Sequence, residues 1–374
     1  MASGMALDRA RSDIDVISRA GLPLTTFMDE ATTAVQKAVP FVGACLSTMD
    51  PATALVSSTR KFDALEGSND ADVQWAQIEY GADDPTAMTA ILVSGRVAAS
   101  VHDAMAGDVE RSVRMSRLML PHFGFRDEAR VVFADRTGAW GAISIFRGTD
   151  DAPFTAADVE FLRTVAPAFT RGIRTGLLAD VSTRGARSAI GPAVVIFDAQ
   201  DRIVQSSHGA DVQLARMSDV PNTGDPLTTV QALVSWARRF ARGEVEGVPR
   251  IRLRASDGVW LVLRAAPLGG IGERAGDVVV TIEEARPQEV IDLVAAAFGL
   301  TLREREVVAL VLRGSDTREI AAALHLSPYT VQDHLKSVFE KAGVASRREL
   351  VARVYFDQYV PRNGGELAAD GWFA

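Results

Sequence analysis

Apolar positions along this chain repeat with two periods, and the switch between them outlines its elements. In TTFMDEATTAVQKAV they recur every three to four residues, as on the buried face of a helix, and the short apolar run FVGACLSTM follows. ARVVFADRTGAWGAISIFR holds two β-rich runs around DRTG, a turn-forming cluster that suits a hairpin. FTAADVEFLRTVAPAF returns to helical spacing, with Val159, Leu162 and Ala166 on one side and Thr155 three residues before Asp158, as in a capping box. Residues 23–178 therefore read as one α+β domain, preceded by an N-terminal segment, 1–22.

The Gly-, Ser- and Arg-rich stretch DVSTRGARSAIG places a linker at 179–188. In the next block, 189–286, PAVVIFDAQDRIVQS reads as two strands around Ala199–Asp201 and LTTVQALVSWARRFA as a helix. IRLRASDGVWLVLRAAPL alternates apolar and polar positions about an Asp257-Gly258 turn, and DVVVTIEEA supplies a last strand, giving a second small antiparallel sheet. Pro287 opens a connecting helix at 287–298, a compact helical module is expected at 299–360, and the Gly-rich residues 361–374 read as a mobile tail.

The helical module carries the strongest local signals. Thr301 with Glu304, Asp316 with Glu319, and Ser346 with Glu349 have capping-box spacing, and Ser327-Pro328 is an N-cap followed by proline at the first helical position. Gly314 and Gly343 stand where the first and third helices should stop. Only His325-Leu326-Ser327 separates the second helix from the third, the short joint of a helix-turn-helix. On the third helix Val331, Leu335, Val338 and Phe339 form a core stripe, and the opposite face presents Tyr329, Gln332, Asp333, Lys336, Ser337 and Glu340. A helix held this way offers its first turns to the major groove. Gln332 suits adenine, Asp333 the cytosine amino group and Lys336 guanine, while Ser327, Thr330, Arg347 and Arg348 suit phosphates.

Charge changes this picture only through its distribution. The chain has a net charge of -8, but 298–360 hold nine Lys or Arg and eight Asp or Glu, so the acidity belongs to the preceding blocks, which nucleic acid would repel. The 374 residues suit two or three domains, and 47% hydrophobic with 24% charged residues is an ordinary globular balance. No apolar run reaches the roughly 18 residues of a spanning helix and no leader pattern opens the chain, so a cytoplasmic protein without membrane partners is expected. The single cysteine, Cys45, lies in an apolar run and reads as a buried structural thiol. His102, His122 and His208 read as ordinary surface or turn histidines, so no metal and no cofactor are assigned.

The module resembles the C-terminal DNA-binding domain of LuxR-type (GerE-like) regulators, through Leu300-Thr301, Arg303 to Val307, Gly314, Glu319-Ile320-Ala321, Leu324, Leu326-Ser327, Thr330-Val331, His334-Leu335, Lys341, Gly343-Val344, Ser346-Arg347 and Glu349-Leu350. The resemblance implies homodimers on two-fold operators, with Val351, Val354 and Tyr355 of the fourth helix in the contact between DNA-binding domains, and it implies activation through RNA polymerase. Gln332 in place of a common Lys, the unusual Asp333, and Ala342 in place of a common Leu imply a different base preference. TGAWGAISIFR with FTAADVEFLRTVAP resembles a GAF domain, and GPAVVIFDAQDRIV with DGVWLVLRAAPL resembles a PAS domain; both imply sensing.

The fold class expected is thus α+β multidomain, with GAF-like and PAS-like antiparallel sheets and flanking helices followed by an all-α four-helix helix-turn-helix domain. Trp75, Tyr80, Phe133, Trp140 and Phe146 are the candidate lining of an effector pocket, and a packed core accounts for the same residues. An effector would act through the helices near 156–178 and 288–297. The rival readings are a phosphorylation-driven response regulator, a signalling enzyme and a protein-binding adaptor. Only Lys37 and Lys61 precede the module, both too early for a receiver's lysine, and no GxxxxGK[ST], HExxH or GxSxG motif marks an enzyme.

Overall fold

Local signals of helix and strand are realised in the computed structural model, which describes residues 4–179, 191–217, 223–269 and 276–356. The chain opens with α1 (Gly4–Arg19) and α2 (Leu24–Ala38), then β1 (Gly43–Asp50), β2 (Leu55–Asp63), α3 (Asp72–Gly81), α4 (Met88–Val93), β3 (Ala98–Ser100) and α5 (Val101–Ala104). A π-helical turn, Met115–Met119, leads into α6 (Leu120–Phe123), β4 (Asp127–Asp135), β5 (Gly138–Arg147) and α7 (Ala156–Leu178). The second block holds β6 (Ala193–Phe197), β7 (Ile203–Ser206), α8 (Ala210–Ala215), α9 (Pro226–Ala241), β8 (Arg250–Arg254), β9 (Trp260–Pro267) and β10 (Val278–Glu284). The rest is helical: α10 (Pro287–Ala297), α11 (Leu302–Leu312), α12 (Thr317–Leu324), α13 (Pro328–Ala342), α14 (Arg347–Val351) and a closing turn, Ala352–Phe356. The linker beyond Ala179 and the tail at 361–374 lie outside the described residues.

The first sheet has the order β2-β1-β5-β4-β3, all antiparallel, and the expected hairpin pairs Asp135 with Gly138. On one face Phe133 stacks on Phe169 of α7 at 4.7 Å, and α1, α2 and α7 form the covering layer. Gly172 permits that layer to close, since a Cβ there would meet the Phe27 ring of α2 at 2.1 Å. α1 falls in the segment to which the sequence assigned no element. Its buried stripe is Ala10, Ile14 and Ser18, and a single large apolar residue leaves little for periodicity to detect.

The other face is buried too, and it is polar. Register places Lys61, Cys45, Ser144 and Arg130 in one row across β2, β1, β5 and β4. Arg130 donates to Glu79 of α3 (2.8 Å), to the Thr86 carbonyl (2.7 Å) and to Ser144 (3.0 Å); Arg114 pairs with Glu128 (2.8 Å) and Glu79 (3.3 Å). All four of these ionised side chains are fully buried. Charges removed from water in this way persist only when paired and hydrogen-bonded, which fixes the positions of α3 and of the segment before β4.

The second sheet repeats the strand order, as β7-β6-β10-β9-β8. The expected helix is α9, the Asp257-Gly258 turn joins β8 to β9 with Gly258 at φ 80°, and Asp201 closes the β6–β7 turn at φ 62°. Apart from Asp257–Trp260, both sheets belong to one compact unit, and the helices from Ala285 onward belong to a second. Within the first unit the sheets interlock. The buried Asp50 of β1 accepts from the Arg252 amide (2.8 Å) and from its guanidinium (2.6 and 2.9 Å). The Gly224 amide bonds the Thr59 carbonyl of β2 (2.9 Å), so the second block caps the first sheet's edge. In the second unit α10 buries Val290, Leu293 and Val294 and packs on α11 and the closing turn.

Candidate nucleic-acid interface

Local capping chemistry builds the helix-turn-helix. Asp316 accepts from the Arg318 and Glu319 amides while Glu319 takes the Asp316 amide, so α12 starts on a complete capping box. It ends at His325, which takes the left-handed conformation (φ 54°), with the Leu326 amide returning to the Ala321 carbonyl (2.8 Å). Ser327 then caps the Thr330 amide at 3.0 Å, and α13 begins at Pro328. Arg303 of α11 ties the turn by donating to the Leu324 carbonyl at 2.6 Å. Val331, Leu335, Val338 and Ala342 are buried, each larger side chain contributing roughly 1.5–3 kcal/mol, and they set the roll of α13.

That roll leaves the opposite face outward. Gln332, Asp333, Lys336 and Glu340 are exposed, Tyr329 is 74% exposed, and Ser327 and Thr330 stand at the helix start with their hydroxyls 2.9 Å apart. Gln332 and Lys336 lie one turn apart on a single face, with Asp333 beside them. Ser337 of the polar stripe and Lys341 beyond it are already engaged. Ser337 donates to Glu304 at 2.7 Å, and Lys341 holds both Glu304 oxygens at 2.6 and 2.7 Å. Burial alone would raise the Glu304 carboxyl, but the Lys341 ammonium, the Thr301 amide and the Ser337 hydroxyl hold it down at about 2. The capping-box spacing exposed one role of Glu304; its grip on α13 spans more than 30 residues and left no local signal.

The fourth helix requires two corrections. Arg347, expected on phosphate, is partly buried and donates to the Ser315 carbonyl at 2.7 Å, which leaves Arg348 as the exposed cation of the pair. Val354, expected in the contact between domains, is 1% exposed, because it completes the core of its own unit; Val351 remains partly exposed. The surroundings of the Tyr355 side chain lie outside the described residues.

The five aromatic residues expected to line an effector pocket are all buried, and they separate into two groups. The Tyr80 hydroxyl accepts from the Val56 amide at 3.0 Å. Trp140 donates to Thr137 at 2.9 Å, and Phe133 stacks on α7, so these three are core. Trp75 and Phe146 do line a cavity, of about 40 Å³, with Cys45, Ser47, Thr59, Lys61, Asp72 and Thr228 among its polar walls. Burial pushes the Cys45 thiol up to about 11, in keeping with a structural role. Lys61, one of only two lysines in the first 335 residues, was a signal for this site that the aromatic pattern obscured.

Residues 299–354 match the family model for bacterial regulatory proteins of the luxR family. A monoamine regulon transcriptional regulator of Klebsiella aerogenes is 43% identical over 56 residues, 15% of this chain and 25% of that protein. A putative HTH-type transcriptional regulator of Mycobacterium bovis is 52% identical over 52 residues, 14% and 6% of the two chains, so the match spans a quarter or less of these relatives. The spore germination protein GerE of Bacillus subtilis is 40% identical over 55 residues, which make up 74% of it. Among solved structures, the GAF domain of an Acinetobacter phosphoenolpyruvate-protein phosphotransferase covers 46% of this chain and 94% of its own at 14% identity, with a TM-score of 0.29. Scores this low leave the topology above to rest on its own hydrogen bonds.

Proposed function

The chain belongs to the luxR family of bacterial regulatory proteins, and from that premise we propose that it is a homodimeric, sequence-specific transcriptional activator whose DNA binding responds to a small effector sensed in its first unit. The observation that carries this reading is the outward row of Gln332, Asp333 and Lys336 on a helix whose roll is fixed by its core and by Arg303 and Glu304. Gln332 and Lys336 offer hydrogen bonds to purine edges, Asp333 to a cytosine amino group, and Tyr329 and Arg348 flank them toward the backbone. The repeated strand order of the two sheets supports reading them as GAF-like and PAS-like sensory folds. Activation implies contact with RNA polymerase. Action by binding, without catalysis, in the cytoplasm completes the proposal; among the described residues no helix is long and apolar enough to cross a membrane.

Genome-wide co-precipitation of DNA with the tagged full chain tests this reading against Gln332→Ala/Lys336→Ala. Discrete two-fold sites are expected with the wild-type protein. Loss of two base contacts, about 1–3 kcal/mol each, should remove those sites while salt-sensitive non-specific binding persists. No enriched site, or unchanged sites in the double variant, would refute the recognition-helix assignment.

A further inference from the structure

The cavity under the first sheet combines three observations that DNA binding does not use. The first is an unsatisfied hydroxyl. Thr228 of α9, 5% exposed, lines the cavity, and its Oγ1 has no hydrogen-bond partner among the described residues. Leaving such a group unpaired costs about 1–3 kcal/mol, so its retention calls for an occupant that bonds it. The second is the balance of the walls. Lys61 and Asp72 are paired at 2.6 Å and the hydroxyls of Ser47 and Thr59 lie 2.9 Å apart, so these charged and hydroxyl groups satisfy one another. What remains is apolar: Trp75, Phe146, Leu118 and Met119.

The third observation is the conformation of one wall. Leu118 and Met119 lie on the π-helical turn, a rare conformation that occurs frequently at functional sites. About 40 Å³ holds only water-sized occupants, and a larger one enters by displacing these two side chains.

We infer that this cavity binds a small uncharged molecule, mainly apolar with one hydrogen-bonding group, and that the Thr228 hydroxyl receives that group. Thr228 belongs to the second sheet's helix, so occupancy ties the two sheets together. The site adjoins an existing seam, where Asp72 accepts from the Asp225 amide at 2.8 Å while holding Lys61. The inference rests on the effector reading above and supplies its ligand class and the contact through which binding is felt.

The test uses the full chain labelled with 13C-methyl methionine, the Met119 resonance being assigned with Met119→Leu. Phenol, toluene and benzoate are the probes. Phenol should shift Met119 and slow alkylation of Cys45, the single cysteine and a lining residue. Thr228→Val should weaken phenol about fivefold, the worth of one net hydrogen bond, without weakening toluene, and Thr228→Ser should restore phenol binding. A phenol titration that leaves Met119 and Cys45 unmoved up to its solubility overturns the site, as does Thr228→Val weakening phenol and toluene alike. Benzoate binding as tightly as phenol overturns the uncharged class. Operator affinity is measured on the same samples. Phenol that moves Met119 but not operator affinity supports the site and refutes the effector reading, so the two fail separately.

Discussion

In the first sheet, Arg130 and Glu128 sit on β4 with no exposure at all, paired with each other and with partners on α3 and before β4; in the second, Arg264 of β9 and Glu283 of β10 pair across neighbouring strands with about a third of each side chain exposed. The strand order is the same in both sheets. What differs is cover. β1 is buried at all eight positions, whereas β6 alternates buried and half-buried residues and β7 is exposed throughout. With two covered faces, polar positions of a strand must find partners in a medium where an unpaired charge is costly. With one, water supplies them. One topology thus yields an ionic core in one sheet and, on the strands of the other that water reaches, ordinary surface electrostatics.

The comparison breaks most readily at Glu79, which holds both Arg114 and Arg130. Glu79→Leu should destabilise the first unit by about 3–5 kcal/mol in urea unfolding, because two buried guanidinium groups lose their shared partner. A loss under about 1 kcal/mol would mean the network is hydrated and the two sheets are alike. Asp50→Ala comes next. It leaves Arg252 buried between the sheets, costing about 3 kcal/mol, and a single unfolding transition should split into two as the sheets uncouple. An unsplit transition would argue against the interlock.

The second unit offers a graded effect of pH. Glu304 is held at about 2 against an ordinary value of 4.5, so its contribution to stability is complete above about pH 4.5 and is lost as pH falls through about 2. A 13C titration of its carboxyl should show the low midpoint, and Lys341→Met should move it up toward the ordinary value. The smallest effect belongs to the second sheet. Glu283→Ala should cost about 0–1 kcal/mol, as exposed pairs do, and a loss comparable with that of Glu79→Leu would abolish the distinction between the sheets.

The sequence by itself determined what is decided within a few residues. Helix starts at Thr155, Thr301, Asp316 and Ser327, the hairpin at Asp135–Gly138, the three-residue joint before α13 and its outward row all follow from i to i+3 capping, turn chemistry and helical period. That is why Gln332, Asp333 and Lys336 were legible. Ser337 and Arg347 were not, since their partners Glu304 and Ser315 lie 33 and 32 residues away. The β-rich run before the DRTG turn identified β4 but could not tell that Glu128 and Arg130 face protein instead of water; that depends on Glu79, 51 residues from Arg130. The same limit hid the union of the two sheets through Asp50 and Arg252, 202 residues apart, whereas α1 was missed because its buried stripe holds a single large apolar residue. Only the tertiary structure decides such matters, because burial of a polar group is settled by whatever distant segment packs over it and not by its neighbours in the chain.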